Sequence, residues 1–406
     1  SQPSDYGEMR YALFDNVVHL EVHYLHEPQS KPPVIKRKGN AQVFKEIRCL
    51  HDQYRHADSP KTEMASLLAS IMKHRHEGRY AEADFLYSRE SWDYITEQYR
   101  ERCTDPSFVD YFWTVRIMHS PLWKLMALTE SFIPVKVFHT ISTGYAGFLG
   151  ALMKQRTGKP LILSEHGIYT KERKIDLFQA EWIRDNRGTL AKDSSEVAYF
   201  RHLWIRFFEA LGRDCYHHAD RIIALYETNR LRQIQDGAPA ERTENIPNGI
   251  NFPHLAKVRE QRSDTIPLTI CLIGRVVPIK DIKTFIRAMR TVVNQLPTAE
   301  AWIAGPEDED PDYAADCRSL VQGLGLSDHV KFLGFQRIDE LLPKVGLLVL
   351  SSISEALPLV ILEGYAAGVP CVSTDVGSCR QLVEGLGPID RSIGVLGEIV
   401  GIANPT

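Results

Sequence analysis

The chain has 406 residues, with 48 lysines and arginines against 52 aspartates and glutamates for a formal net charge of −4, and is 44% hydrophobic and 25% charged. That balance excludes a disordered tail or a fibrous repeat, and the length suits two or three domains of roughly 100–200 residues, with enough core to need no disulfide or metal staple. The slight acidity argues against a nucleic-acid partner, because a phosphate-tracking surface needs a marked basic excess.

The opening SQPSDYGEMRYALFDN lacks the charged-then-apolar pattern of a signal peptide, and no apolar run approaches the ~18–20 residues of a membrane span. A cytoplasmic location is the expectation. Lys31, Lys36, Arg37 and Lys38 lie among Pro32, Pro33 and Gly39 and read as a solvated loop. VVHLEVHYL (17–25) is β-rich and should scatter His19, His23 and His26 over two faces of a strand, which makes them a poor metal set. Residues 41–128 repeat apolar positions at three and four in four stretches, predicting a helical insertion.

The period changes at Val135. VKVFHT, TGYAGFLGALMKQRTG and PLILSEHG read as strand, helix and strand, and a long helical region then runs to about residue 219. ADRIIAL is the next strand, ETNRLRQIQDG its helix, and ERTENIPNGI a strand and turn closing a first α/β domain near residue 250. NFPHLAKVREQRSDTIP (251–267) has the composition of a linker. From LTICLIG onward five strands alternate with helices, which predicts a parallel sheet in a second domain, 251–406. The seven cysteines form no CxxC pair and read as small core residues in a reducing compartment.

Ligands of open α/β sheets bind where strand-to-helix loops converge, and three loops carry the chemistry. In SSISEALPLVILEG (351–364) Glu355 follows a strand and Glu363 lies in the next helix. The first-turn amides near Leu357, Leu359 and Val360, with the helix dipole, suit a diphosphate. The eight helical positions between the two carboxylates span ~12 Å, room for a sugar, diphosphate and ribose. In GRVVPIKD (274–281) Gly274 allows close backbone approach, while Arg275 and Lys280 supply cations for that diphosphate. In LSEHGIYTKERK (163–174) His166 ends a strand of the first domain, and Tyr169, Lys171, Glu172 and Arg173 follow in a polar loop that is the candidate acceptor side. The acidic EDEDPD (307–312) reads as a solvated loop and no metal site is expected. The glycines of TGYAGFLG are wrongly spaced for a dinucleotide loop, and neither a P-loop nor a nucleophile elbow is present.

The tandem α/β domains, GRVVPIKDIKTFI and the Glu355/Glu363 pair resemble the retaining, nucleotide-sugar-dependent glycosyltransferases of the GT-B fold, two Rossmann-like domains facing across a cleft. SEHGIYTKERKIDL, LYETN, IPNGI and SSISEALPLVILEGYAAGVPCVSTDVGSCRQLVEG narrow the resemblance to the branch that makes the biofilm exopolysaccharide Pel. The resemblance implies that Arg275 and Lys280 hold the donor diphosphate, Glu363 the ribose, Glu355 the transferred sugar, and His166 that sugar from the opposite domain. Gly334 and Phe335, in FLGFQRID, stand where the family holds the base. It implies a UDP-sugar donor, with UDP-glucose expected, a polysaccharide acceptor, an inner-membrane synthase complex as partner, no cofactor or metal, and front-face transfer. The family's first strand and Gly-rich loop have no counterpart before Ser1, and its closing helices none before Thr406, so the sequence resembles an internal fragment. Asn251 stands where an aspartate is usual. The alternatives are a non-catalytic nucleotide-binding subunit of a polysaccharide synthesis complex and a synthase with a small acceptor.

Overall fold

Ser88 and Ser107 open two helices of the first half in the same way. Each hydroxyl accepts the amide three positions on, Ser91 N at 3.1 Å and Asp110 N at 3.2 Å, satisfying one of the orphan donors of a helix start. A computed structural model of the chain describes residues 13–25, 38–55, 61–103, 107–179 and 199–405. His26, Lys31, Lys36 and Arg37 lie outside the described residues.

The chain divides into two compact units, Ser1–Ile223 with Leu231–Glu244, and Ala224–Arg230 with Asn245–Thr406. In the 41–128 region the helices are α1 (Ala41–Arg55), α2 (Lys61–His76), the short α3 (Glu82–Tyr87), α4 (Arg89–Arg102) and α5 (Phe108–Leu128). The α/β part follows as β1 (Phe138–Thr140), α6 (Tyr145–Thr157), β2 (Leu161–Glu165), α7 (Tyr169–Gln179), α8 (Tyr199–His218), β3 (Arg221–Ala224), α9 (Glu227–Gln235) and β4 (Thr243–Asn245). These strands form a sheet in the order β1-β2-β3-β4, with β1 and β2 parallel. An aromatic core joins the helices to the sheet side, with Phe44, Tyr80, Phe85 and Trp123 packing in one cluster with Phe148 and Phe208.

The later elements are α10 (Phe252–Glu260), β5 (Thr269–Ile273), α11 (Ile282–Gln295), β6 (Glu300–Ala304), α12 (Pro311–Gly323), β7 (Val330–Gly334), α13 (Ile338–Leu341), β8 (Leu347–Leu350), α14 (Leu359–Ala366), β9 (Cys371–Thr374), α15 (Cys379–Glu384), α16 (Pro388–Ile393) and β10 (Gly397–Val400). The strands lie in the order β10-β9-β8-β5-β6-β7 and every pairing is parallel. Counted along the chain this is 6-5-4-1-2-3, the Rossmann order, which reverses between β5 and β8.

Four expectations need correction. The second sheet has six strands rather than five, because β10 adds to β9 beside Gly397, where a Cβ would lie 1.8 Å from Cys371 O. The 251–267 segment is not all linker. Asn251 accepts the His254 amide at 3.3 Å and, with a proline in the first turn, starts α10. Residues 17–24 form no strand, and His19 and His23 both close on Glu21, at 2.7 and 2.8 Å, because positions two apart share a face of an extended chain. None of the seven cysteines is in a disulfide and five are buried, but Cys49 is exposed and Cys103 partly so.

Asp214 of α8 is buried at 1% exposure and accepts the Tyr54 hydroxyl, and burial pushes its pKa from 3.8 up to about 7. Between those two values the native chain holds a proton that the unfolded chain has released, so this group's contribution to stability is complete below the lower value and is lost as pH rises to the upper. Urea denaturation at pH 5 and 7 should show Asp214→Asn removing a mean slope of about 1 kcal/mol per pH unit, since the group is half ionised at the upper pH. An unaltered slope would show that Asp214 titrates normally.

Candidate active site

β5 ends at the reversal point, and the loop after it is pinned from below. Gly274 N donates to Ala304 O and Val276 N to Pro306 O, both at 2.9 Å, and Val276 and Val277 are buried. Gly305 permits this approach, since a Cβ there would lie 1.9 Å from Gly274 O. Pro278–Lys280 make a 3₁₀ turn, and Asp281, at a left-handed φ of 44°, caps α11 through the Thr284 amide at 3.3 Å.

The loop after β8 is stitched to this one. Ser351 Oγ donates to Lys280 O and Asp281 O at 2.9 and 3.0 Å, and Ile353 N to Ile279 O at 2.9 Å. The stitching brings the Lys280 ammonium onto Glu355 Oε1, and Ser352 Oγ donates to the same oxygen at 2.6 Å. The two side chains are 18% and 12% exposed. Thr374 Oγ1 fixes Ser352 O at 2.7 Å, and Ser378 N holds Ala356 O at 3.0 Å. Gly377, at φ +56°, completes the support, because a Cβ there would lie 2.2 Å from Glu355 O. Ser351, Ser352, Thr374, Gly305 and Gly377 were not singled out in the sequence. The SS pair ending β8 and the TDVGS turn after β9 are the signals that could have found them.

Beside this pair lies a cavity of about 550 Å³ lined by Gly274, Arg275, Phe335, Arg337 and Glu363 among others. Lys280 runs along its edge, with Cε 3.5 Å from a Cβ placed on Gly274. Glu363, on α14, is half-buried, and burial pushes its carboxyl pKa upward. No hydrogen bond or ion pair holds that carboxylate among the described residues. Gly364 lets the helix approach β8, since a Cβ there would lie 2.3 Å from Leu348 Cδ1. Phe335 is 80% exposed, following Gly334 at φ +63°.

α14 begins at Leu359 with Pro358 as its cap, so the first-turn amides of Leu359 and Val360 have no acceptor in the preceding turn. Leu357 is buried in a small apolar cluster with Leu225 and Tyr226. Arg275 does not join Lys280. Both carboxylate oxygens of Glu309 lie 2.6 Å from Arg275 Nη1, in a pair with side chains about half exposed. The acidic 307–312 loop is thus partly engaged, with Glu307 on Arg318 at 2.8 Å and Asp310 capping α12. Exposed pairs of this kind contribute about 0–1 kcal/mol, so a diphosphate could displace Glu309 at little cost.

In the first unit His166 is exposed directly after β2. The 169–173 stretch is the first turn of α7 rather than a loop. Tyr169 packs edge-on to Phe208 at 6.0 Å, and the Arg173 guanidinium lies 5.0 Å from the same ring, while Lys171 and Glu172 are exposed. The reason is Glu165, whose role has no local signal in the sequence. Its buried carboxylate accepts Tyr216 OH at 2.7 Å and Gln233 Nε2, Thr143 Oγ1 and Tyr169 N at 3.1 Å each, the last opening the helix. Burial raises its pKa and the four donors oppose that shift.

Two family models match in succession, Domain of unknown function (DUF3492) over residues 1–241 and Glycosyl transferases group 1 over residues 256–387. The first covers more than half of the chain. The chain belongs to the DUF3492 family. This DUF3492 protein is 34% identical over 160 residues to the exopolysaccharide phosphotransferase SCO2592 of Streptomyces coelicolor, covering 39% of this chain and 16% of that protein. It is 24% identical over 265 residues to a D-inositol 3-phosphate glycosyltransferase of Streptomyces griseus, covering 60% of this chain and 53% of the relative. The chain therefore spans about half or less of these relatives' lengths. The Anabaena protein Alr3699/HepE, solved in complex with UDP-glucose, superposes with a TM-score of 0.51 at 21% identity, covering 77% of this chain and 81% of that one. The fold is α/β of the GT-B type, with two parallel Rossmann-like sheets. Among the described residues no helix is long and apolar enough to cross a membrane.

Proposed function

We propose that this DUF3492 chain is a cytoplasmic glycosyltransferase of the PelF type, moving a hexosyl group from a UDP-sugar, with UDP-glucose the first choice, to a growing exopolysaccharide with retention of configuration. The observation that carries this reading is the Lys280–Glu355–Ser352 cluster at the β5/β8 reversal, beside a cavity faced by the unpartnered carboxylate of Glu363. Arg275, Lys280 and the amides of Leu359 and Val360 are assigned to the diphosphate, Glu363 to the ribose hydroxyls, Phe335 and Gly334 to the base, and Glu355 to the sugar. From the resemblance, His166 is assigned to the sugar and Tyr169, Lys171, Glu172 and Arg173 to the acceptor. An inner-membrane synthase complex is the proposed assembly.

In front-face transfer the bond from the anomeric carbon to the diphosphate oxygen breaks as the bond to the acceptor oxygen forms, and the acceptor's proton passes to the departing phosphate oxygen. Lys280, Arg275 and the helix dipole stabilise the charge growing there. No step is assigned to a metal. Calorimetry with UDP and then UDP-glucose, followed by transfer assays, tests the proposal, and absence of UDP binding overturns it. Glu355→Gln should weaken UDP-glucose binding about 10-fold or more, the cost of a hydrogen bond to a charged group, while leaving UDP affinity within about twofold. Equal loss of both would show that Glu355 supports the loop and does not read the sugar.

A further inference from the structure

The helical region contains a second cavity, larger than the first and with no part in the reading above. It encloses about 1000 Å³ between α1, α4, α5 and α8, the upper end of the roughly 300–1,000 Å³ typical of small-molecule sites. Its walls are mostly apolar and buried, with Phe85, Ile95, Met118, Phe148 and Leu211 facing it.

One polar wall is neutral. His119 Nδ1, 2.7 Å from Val115 O, must carry the proton. Its Nε2 then accepts from His51 Nε2 at 3.2 Å, which leaves His51 Nδ1 to accept the Tyr94 hydroxyl at 2.6 Å. Burial favours this state, pushing the His51 pKa down to about 3 and that of His119 downward.

The remaining polar lining is cationic and rich in donors. Among the described residues Arg55, Arg102 and Arg206 face the cavity with one lining carboxylate, Asp52, which lies 2.8 Å from Arg102 and 3.6 Å from Arg55, and Glu101 lies 3.8 Å from Arg102. Arg55 Nη2 donates to Gln98 Oε1 at 3.2 Å, and Arg55 Nη1 faces Asp52 Oδ1 at 3.6 Å, beyond hydrogen-bond length, while among the described residues Gln98 Nε2 and Trp123 Nε1 are buried with no hydrogen-bond acceptor. Gln98 and Trp123 are 2% and 5% exposed. Buried donors left in this condition call for acceptor oxygens from outside the chain, and the excess of arginines favours oxygens that carry negative charge.

We propose that this cavity binds an amphiphile, with its hydrocarbon body among the aromatic and aliphatic walls and an anionic carboxylate or phosphate head at Arg55, Arg102 and Gln98. The hydrocarbon is required because the neutral histidine wall and apolar floor offer a polyhydroxylated ligand too few partners. The acid is called for by the buried donors of Gln98 and Trp123 and by three arginines set against one lining carboxylate among the described residues. This inference does not depend on UDP-sugar chemistry, and either can fail alone.

Titration calorimetry on the full chain with dodecyl phosphate, dodecanoate, dodecanol and inorganic phosphate tests it. Both acids should bind in a 1:1 ratio, dodecanol about 10- to 100-fold more weakly for want of a charge-assisted head contact, and inorganic phosphate not measurably. Arg55→Gln should reduce binding of the acids to the level of the alcohol and leave the alcohol unchanged. Val115→Trp should abolish binding of every chain compound by filling the cavity. Ala210→Leu, a milder intrusion, should weaken it, with thermal melts confirming that each variant folds. Failure of both acids to bind, phosphate binding as tightly as dodecyl phosphate, or affinity that ignores the cavity-filling variants would each overturn the proposal.

Discussion

Replacing Lys280 with alanine should lower the rate of glycosyl transfer on the order of 10²–10³-fold, the usual cost of removing one donor aimed at charge that develops in the transition state. The ammonium occupies the β5/β8 reversal point, and its loop is fixed by Ser351 on Lys280 O and Asp281 O and by Ile353 on Ile279 O, so the loop itself should survive the substitution. If the interaction strengthens as the leaving diphosphate gains charge, kcat and kcat/KM should fall together. A rise in KM alone would mean that Lys280 only anchors the ground state, and unchanged turnover would remove it from the mechanism. Stability supplies a separate reading. Lys280→Ala leaves Glu355, 12% exposed, with Ser352 as its remaining partner, and should cost about 1–3 kcal/mol of unfolding free energy. Adding Glu355→Gln to that variant should recover most of this loss without recovering turnover, because the buried charge is gone while the cation is still missing.

The parts of the fold legible in the sequence were those set by local period. The alternation from LTICLIG onward gave the parallel sheet because helical crossovers leave few other geometries. β10 carries little local signal, because GEIV is four residues beginning with glycine and glutamate and owes its pairing to a strand more than twenty positions earlier. α10 resembles linker composition through its proline and charges, although Asn-Phe-Pro is also a helix start. The candidate site shows the same division. Both loops of the second unit were recognisable as strand-to-helix connections carrying the right charges. That Lys280 meets Glu355, 75 positions away, while Arg275 turns to Glu309, 34 away, depends on pairing across the sheet and has no local signal. Glu165 was hidden for the same reason, since its donors come from residues 22, 51 and 68 positions distant as well as from Tyr169.

Glu165 is therefore the residue of the first unit whose loss should be felt most. Glu165→Ala would strand the Tyr216 hydroxyl and the Gln233 amide, both almost fully buried, and should cost on the order of 3–5 kcal/mol in urea denaturation. Glu165→Gln should be milder, about 1–3 kcal/mol. The new amide would face donors, but Gln233 Oε1 is buried without a partner, so a rotation of Gln233 could present that oxygen to it. The two variants should differ at α7 as well. Alanine removes the acceptor of the Tyr169 amide, so hydrogen exchange there should quicken and the adjoining His166–Gly167 turn should lose its anchor, while glutamine keeps one oxygen able to hold it. If alanine cost under about 0.5 kcal/mol, the range of an ordinary surface change, the four hydrogen bonds would not be what positions the His166 loop, and that loop's place at the end of β2 would need another cause.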